Sequence, residues 1–358
     1  MVDGHGLEAA ALVANVRKGM AAVMGTAGEV FLFPGTGTGG LEASIVNHLS
    51  PGDRVLACTN GFFSELYADI AEKLGADVQK LAFEWGKCID WSRVADVLRQ
   101  DRSQNIKAIL LTHHETSTGV LTQLDGLREA KGSHPALVML NALSSAGGTE
   151  LQTDFWGVDV IVTCSHKGLM CPPGITFVSA NERAKERQAC AKMPKAYWDI
   201  GNQRHWLSRG VTPFDPPLSL LYGIDKVLEC LQNRTEAQEI YRRVASNATL
   251  FRDCLDEMPV EIVADVHCRA PHCTVLRFPE YIVPVEVKGL LKSGFGILVS
   301  SGMGRLSSAT LRVNHQGWVF PRDMFALLFA LRAFFEVAPA GSACDGAEIA
   351  SSSKAFGG

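Results

Sequence analysis

Short, nearly continuous apolar runs alternate with helical patterns over the first two thirds of the chain, and this alternation limits the fold more than any other feature. A strand that is apolar throughout is buried on both faces, as happens when crossover helices cover a parallel sheet. Between the runs, apolar residues recur at the three-to-four spacing of helices. The sequence therefore predicts an α/β layer fold with a mainly parallel sheet. The runs are EVFLFPG (29–35), DRVLACTNG (53–61), AILLTHHE (108–115), ALVMLNA (136–142), VDVIVTCS (158–165) and ITFVSA (175–180).

A change in pattern after PFDPP (213–217) divides the chain into two parts. A long helical stretch follows, and then new strand-like runs, EIVADV, CTVLRF, GILVSSG and ATLRVNH, surround the helical segment PVEVKGLLKSG. We therefore expect residues 1–230 to form a large α/β domain and residues 231–337 a smaller C-terminal α+β domain. Residues 338–358 are mostly small and polar, and we expect them to form a disordered tail.

Composition and charge exclude several classes of protein. The 358 residues carry a formal net charge of −4, and Lys and Arg are dispersed, so we expect no nucleic-acid partner. No apolar run reaches the length of about 18 residues that a membrane span needs. The acidic residues Asp3 and Glu8 stand where a secretory signal is basic or apolar, so we expect no export.

The ten cysteines show no regular spacing and are typical of reduced thiols, so we expect a cytoplasmic protein, with import into an organelle left open. One cluster offers four soft ligands within seven residues: His267, Cys268, His272 and Cys273. Two adjacent pairs at this spacing match no common zinc site, so we expect no metal.

The segment FLFPGTGTGGLEAS places a glycine-rich turn between a strand and a helix. Backbone N–H groups at such a helix N-terminus bind anions. Gly35, Gly37 and Gly40 also satisfy the dinucleotide-binding pattern, but Asp53 precedes the next strand instead of ending it. A phosphate site for another cofactor, a dinucleotide site and a plain tight turn all remain open from this pattern.

Chemically active side chains follow three of the predicted strands. Lys167 comes directly after VDVIVTCSH, and a lysine pressed into a dry pocket can lose its proton and form an imine with a carbonyl. Ligands of open α/β sheets bind at the carboxyl ends of the strands. Taken singly, the lysine could equally face solvent and the polar residues could cap helices. The other polar residues at strand ends are His114, Glu115, Thr116, Ser117, Asn141, Ser144 and Ser145.

These motifs together resemble the class V pyridoxal-phosphate aminotransferases, and most closely the alanine-glyoxylate and serine-glyoxylate group. The resemblance runs from about residue 14 to about residue 335, and WGVDVIVTCSHKGLMCPPG carries it most specifically. It implies pyridoxal-phosphate fold type I, a homodimer with a shared active site, and amino-group transfer. The other matching segments are GTGTGGLEA, NGFFSE, HHETSTGVL, NALSSAGG, TPFDPPLSLLY and LRVNHQG.

The resemblance also implies residue roles. Lys167 would hold pyridoxal 5'-phosphate through a Schiff base and move protons during catalysis. Arg312 would bind the substrate α-carboxylate. The cofactor phosphate would be bound by Thr36, Gly37, Thr38 and His166, and by Thr212 from the neighbouring subunit. The cofactor ring would lie between Phe63 and Leu143, with its hydroxyl group near Thr116.

Two departures from the family pattern affect the expected chemistry. Asn141 stands where the family has an aspartate that keeps the pyridine nitrogen protonated, and a neutral amide gives a weaker electron sink. The family's N-terminal leader with its Pro-Gly-Pro segment has no counterpart, so we expect either a truncated sequence or a more open substrate entrance.

The function that we predict is transfer of an amino group from a small amino acid, such as alanine or serine, to a 2-oxo acid such as glyoxylate or pyruvate. Two alternatives remain open. One is a pyridoxal-phosphate lyase that acts at Cβ of an amino acid. The other is a cofactor-binding paralogue with weak or no turnover, which the amide at Asn141 suggests.

Overall fold

The computed structural model describes residues 6–337. They form a seven-stranded sheet, a four-stranded sheet and a two-stranded hairpin, with helices around them. The helices are α1 Leu7–Met24, α2 Gly37–His48, α3 Phe62–Lys73, α4 Trp91–Gln100, α5 Leu127–Lys131, α6 Thr153–Trp156, α7 Glu182–Cys190, α8 Ile200–Leu207, α9 Leu218–Gln232, α10 Arg234–Asp253, α11 Pro284–Phe295 and α12 Pro321–Val337. The strands are β1 Glu29–Gly35, β2 Arg54–Thr59, β3 Asp77–Ala82, β4 Ile106–Thr112, β5 His114–Glu115, β6 Val120–Leu121, β7 Leu137–Asn141, β8 Val160–Cys164, β9 Gly174–Ala180, β10 Glu261–Ile262, β11 Cys273–Arg277, β12 Ser300–Ser301 and β13 Thr310–Asn314.

The large sheet has the strand order β1-β9-β8-β7-β4-β2-β3. The pairs β2/β3, β2/β4, β4/β7 and β7/β8 are parallel, and β9 runs antiparallel to both of its neighbours. Only β9 is therefore reversed, which confirms the predicted mainly parallel sheet. The carboxyl ends of β1, β2, β4, β7 and β8 consequently meet at one edge, which we call the carboxyl edge.

Both faces of the large sheet are covered, as the continuous apolar runs predict. On β1, Val30 and Leu32 belong to one buried cluster, while Phe31 and Phe33 belong to another on the opposite face. The first cluster includes apolar residues of α1 and α9, and the second includes those of α2 and α3. Helices on both faces thus explain why these strands lack the polar alternation of a half-exposed sheet.

The small sheet is antiparallel throughout, with the order β10-β11-β13-β12. A third apolar cluster joins its strands to α10, α11 and α12, and includes Phe251, Leu276, Val287 and Leu328. The predicted tail at 338–358 lies outside the described residues. Within residues 6–337, every helix falls short of the length and apolarity that a membrane crossing requires.

Strand β3 was not predicted from the sequence. It lies at the end of the large sheet, and its side chains, DVQKLA, are exposed or half-buried. It pairs with β2 alone, and only Val78 and Leu81 pack against the two apolar clusters, so it has no continuous apolar run. Its backbone pairs with β2 in parallel register all the same.

Candidate active site

The loops that leave the carboxyl edge bring most of the predicted site residues together. Leu143, after β7, packs against the glycine turn after β1, where a Cβ on Gly37 would lie 2.6 Å from Leu143 Cδ2. The Cys164 thiol, at the end of β8, donates to the Leu143 carbonyl at 3.6 Å and lies 3.7 Å from His166 Nε2. Three loops thus converge on one place.

The glycine turn is an open helix N-terminus at this edge. Helix α2 starts at Gly37, and Thr36 precedes it in extended conformation without a side-chain capping bond. The side chains of Thr36 and Thr38 are exposed, so the turn is free to bind an anion through its backbone N–H groups. Asp53 lies at the other end of β2, where it accepts from Ser50 N at 2.7 Å, so it cannot serve a dinucleotide ribose here.

Lys167 has an uncommon backbone conformation. Its φ is +68°, in the left-handed region that costs a residue with a Cβ roughly 1–2 kcal/mol. Such conformations persist where the surrounding structure fixes them, and they cluster at functional sites. The next residue is held tightly, because a Cβ on Gly168 would lie 2.3 Å from the Ala146 carbonyl oxygen. The Lys167 side chain is exposed in the single protomer.

The surroundings of Lys167 are polar and positively charged. Its charge lowers the pKa of His166, although burial is the larger cause of that shift. Burial raises the pKa of the Cys273 thiol to about 11, and the charges of Arg312, Arg252 and Lys167 oppose that rise. Arg312 from the small sheet and Lys167 from the large sheet are thus both close enough to the Cys273 thiol to influence its pKa.

Two of the predicted cofactor-binding residues carry a buried polar atom that has no hydrogen-bond partner among the described residues. The two atoms are Thr116 Oγ1 and His166 Nδ1. Leaving such atoms unbonded costs about 1–3 kcal/mol each, so a bound polar molecule is the natural way to satisfy them. Both residues are among those predicted to bind the cofactor. The site therefore fits a polar, anionic group of the pyridoxal-phosphate type.

Asn141 is buried and its amide is oriented by a backbone bond. Its Oδ1 accepts from Leu143 N at 3.1 Å, and its Nδ2 makes only a long contact of 3.4 Å to Thr112 Oγ1. The Asn141 Oδ1 atom is therefore already hydrogen-bonded, and the Nδ2 group is the part of the amide that can donate to a ligand. An NH₂ group donates and cannot hold a proton on a ring nitrogen, unlike a carboxylate.

Phe63 is positioned by a buried carboxylate that sequence analysis did not assign to any role. Glu115 accepts from Phe63 N at 3.2 Å and from Ser64 N at 2.8 Å, so it caps α3. Burial raises its pKa, while these bonds and those from Ser117 oppose the rise. Gly61 allows this approach, because a Cβ there would lie 2.3 Å from Glu115 Cγ. The backbone of the half-buried Phe63 is thereby fixed at the start of α3.

Arg312 lies in the middle of β13, paired with Val275 and Ser300. It is half-buried, and its Nε donates to the Ser301 carbonyl at 2.9 Å. Among residues 6–337, none bonds to its two terminal nitrogens. These can form a two-pronged pair with a carboxylate, which is the geometry that a substrate α-carboxylate would use.

Thr212 lies beside α1 of its own protomer. It lines a small cavity of about 80 Å³ with residues of α1, including Ala9, Val13 and Arg17. Its Oγ1 donates to the Phe214 carbonyl at 2.6 Å. The predicted contact of Thr212 with the cofactor phosphate involves a neighbouring subunit, so this geometry within one protomer leaves it a prediction.

Four histidines, His113, His114, His272 and His315, are buried between the two sheets. The rings of His114 and His272 stack at 4.7 Å, and His315 Nε2 lies 2.7 Å from Thr274 Oγ1. Burial lowers the pKa of His113 to about 4 and that of His114 and His315 to about 3, and it lowers the pKa of His272 as well. The sequence cluster His267 to Cys273 is split, because His267 is exposed.

These lowered histidine pKa values predict that acid lowers the free energy of unfolding. The pKa of a histidine in the unfolded chain is about 6.5, and burial lowers it in the folded protein. Between these two pKa values the unfolded chain binds more protons than the folded one. The contribution of the buried histidines to stability is therefore complete above about pH 6.5 and decreases as the pH falls. Each buried histidine contributes a slope of up to about 1.4 kcal/mol per pH unit. We expect the urea midpoint to be clearly lower at pH 5 than at pH 7.5. His315→Gln should flatten this dependence and the exposed His205→Gln should not, whereas equal midpoints in the wild type would contradict the account.

The chain is similar to several known proteins. The family model described as aminotransferase class V matches residues 1–319. The soluble hydrogenase 42 kDa subunit of Anabaena cylindrica is 33% identical over 307 residues, covering 86% of this chain and 80% of that protein. The L-aspartate–glyoxylate aminotransferase of Paracoccus denitrificans is 32% identical, covering 82% and 74%. The crystal structure of an alanine–glyoxylate aminotransferase from Nostoc sp. superimposes with a TM-score of 0.86 at 26% identity, covering 92% of this chain and 88% of that one.

Proposed function

The chain belongs to the class V aminotransferase family, and from that premise we propose that it transfers an amino group from a small amino acid to glyoxylate. The family match, the relatives named as transaminases and the fold type I neighbours confirm the predicted family, fold, pyridoxal-phosphate cofactor and enzyme class. Glyoxylate is favoured as acceptor because relatives such as the Paracoccus and Nostoc proteins are named for it.

The observation that carries the proposal is the position of Lys167 at the carboxyl edge, directly after His166, whose Nδ1 is buried and unbonded, as is Thr116 Oγ1. When bound, pyridoxal phosphate draws electron density away from the substrate Cα and so weakens the Cα–H bond. Lys167 would hold the cofactor covalently, and its Nζ would accept the Cα proton and return it. The α2 N-terminus, from Thr36 to Thr38, would bind the phosphate.

The remaining residues would orient the reactants. Phe63 and Leu143 would fix the plane of the cofactor ring from its two faces. Arg312 would hold the substrate α-carboxylate so that the Cα–H bond stands perpendicular to that ring. Asn141 would donate to the ring nitrogen through Nδ2, because its Oδ1 is already bonded to Leu143 N.

We propose further that the enzyme is a homodimer in which Thr212 of one subunit completes the phosphate site of the other. The exposure of Thr36, Thr38 and Lys167 in a single protomer supports this, since a second subunit would cover them. Sedimentation equilibrium should give twice the chain mass of 38.7 kDa. A monomer that is fully active would contradict the shared site.

The function is tested by supplying the purified holoenzyme with one amino acid at a time, with and without glyoxylate. Glycine formed only when donor and glyoxylate are both present, in equal amount to the 2-oxo acid produced, supports transamination. Pyruvate and ammonia released from serine or cysteine without acceptor would instead indicate a lyase. Absence of product with every donor would indicate a cofactor-binding protein without turnover.

Arg312 gives a prediction for substrate binding. Arg312→Lys keeps the charge but loses the two-pronged geometry, so we expect KM for the amino acid to rise by about tenfold, and Arg312→Leu to lower kcat/KM by about 100-fold or more. Arg277→Lys, in the neighbouring strand and exposed, is the matched control and should leave both constants unchanged. Steady-state kinetics over a range of donor concentrations provides the measurement. If Arg312→Leu retained the wild-type KM, another group would have to bind the carboxylate.

A further inference from the structure

The two parts of the chain also meet at a junction between residues 86–88 and residues 263–268. The loop after β3 contacts the segment between β10 and β11, where Asp265 N donates to the Gly86 carbonyl at 2.8 Å and Lys87 Nζ lies 3.0 Å from an Asp265 carboxylate oxygen. Gly86 has φ +93°, and a Cβ there would lie 2.4 Å from the Val263 carbonyl oxygen. The two backbones are therefore in direct contact.

Two cysteines lie close together at this junction. Cys88 follows Lys87 and is exposed, whereas Cys268 belongs to a short 3₁₀ helix and is 1% exposed. The Cys268 thiol donates to the Gly86 carbonyl at 3.9 Å, two residues before Cys88, and Cys88 is near enough to raise the pKa of the Cys268 thiol. Both are reduced in the structure. One thiol is thus open to solvent reagents while its neighbour is sheltered.

We propose that Cys88 and Cys268 form a thiol modification site that reacts with low-molecular-weight disulfides, of which oxidised glutathione is the type. The exposed Cys88 thiolate attacks the reagent, forming a mixed disulfide and releasing one glutathione thiolate. The Cys268 thiolate then attacks the Cys88 sulfur, forming the Cys88–Cys268 disulfide and releasing the second glutathione. Two protein thiols are oxidised and one glutathione disulfide is reduced to two thiols, with the two protons of the protein thiols taken up by the two released glutathione thiolates.

Capping of Cys88 changes the environment of Cys268. Burial raises the pKa of the Cys268 thiol, and Cys88 and the Asp265 charge raise it further, while Lys87 opposes the rise. Capping of Cys88 removes the part of the rise that comes from Cys88, whereas burial and Asp265 continue to raise the pKa. The first step therefore makes Cys268 easier to deprotonate than it is in the reduced pair.

The cross-link would join segments that adjoin the active site. Lys87 O accepts from Asn60 Nδ2 at 3.1 Å, and Asn60 directly precedes Gly61, the start of the segment that holds Phe63. On the other side, Ala270 N donates to the Gly119 carbonyl at 2.8 Å, in the loop that carries Thr116. Since 268 − 88 = 180, the disulfide closes a long loop, which restricts the unfolded chain and raises stability.

The test treats the full-length holoenzyme with oxidised glutathione, blocks remaining thiols and identifies the peptides by mass spectrometry. We expect a peptide that joins Cys88 to Cys268, and a melting temperature higher by about 5 °C that dithiothreitol reverses. Cys190, exposed in α7, reports how a surface thiol reacts in the same sample. In Cys268→Ser, Cys88 should keep its glutathione. In Cys88→Ser, the sheltered Cys268 should remain unmodified.

Two results would overturn the proposal. The first is a wild-type protein in which Cys88 keeps glutathione although Cys268 is present, because the partner thiol then fails to resolve it. The second is a Cys88 that stays free while Cys190 reacts. Cys88→Ser changes an exposed side chain and is expected to fold, so its comparison with the wild type remains available even if Cys268→Ser is unstable.

Discussion

Replacing Lys167 by alanine should lower kcat by about 10⁴-fold or more, because one change removes both the covalent attachment of the cofactor and the group that moves the Cα proton. The fold should survive, since the side chain is exposed and alanine inherits the same left-handed backbone. Lys167→Gly should lose activity equally while being more stable than Lys167→Ala by about 1 kcal/mol, because glycine adopts φ +68° without strain.

The comparison needs a lysine whose loss affects only surface charge. Lys185, in α7, is exposed and paired with Glu182, so Lys185→Ala should retain the wild-type rate. Glycine production from the best amino acid and glyoxylate, together with urea unfolding of each variant, separates loss of chemistry from loss of folding. A Lys167→Ala enzyme that kept more than about a hundredth of the wild-type kcat would be incompatible with the assigned role.

Asn141→Asp should raise the rate of Cα proton removal by about tenfold or more. A carboxylate stabilises a proton on the ring nitrogen, and each pKa unit of such stabilisation corresponds to about 1.4 kcal/mol, or a factor of about ten. The substitution is nearly isosteric and keeps the bond from Leu143 N, so only the long contact to Thr112 Oγ1 is lost. The exchange of the amino acid Cα hydrogen with deuterated water measures this step directly.

A second readout separates the electronic effect from a change in binding. The pH dependence of the exchange rate should become flatter near neutrality in Asn141→Asp, because the ring nitrogen then stays protonated. Asn202→Asp adds the same charge at an exposed position and should leave the exchange rate as it is in the wild type. If Asn141→Asp exchanged at the wild-type rate or more slowly, the weak electron sink would not limit this enzyme.

The sequence was sufficient to predict the parts of the fold that depend on local pattern. The apolar runs that became β1, β2, β4, β7, β8 and β9 are buried on both faces, and such strands leave an unmistakable composition. The polar edge strand β3 carries no such signal, since it pairs with β2 and only Val78 and Leu81 pack against the apolar clusters. A strand could therefore be predicted from the sequence where burial on both faces requires a continuous run of apolar residues.

The site residues were predicted where a motif follows a strand, and missed where the partner is distant in sequence. Glu115 was visible as a residue at a strand end, but its role as the cap of α3 depends on Gly61 and Ser64, which lie some fifty positions earlier. The stacking of His114 on His272 likewise joins two segments that only the folded chain brings together. No periodicity or spacing encodes contacts of that kind.

The most direct measurement for the whole account is reduction of freshly purified holoenzyme with borohydride, followed by proteolysis and mass spectrometry of the cofactor-bearing peptide. Borohydride makes the link between an amine and the cofactor aldehyde permanent, so the modified residue is identified without relying on activity. The account predicts a single stoichiometric modification, on Lys167 in the segment SHKGLM. Modification of a different lysine, or none in protein that contains the cofactor, would contradict it.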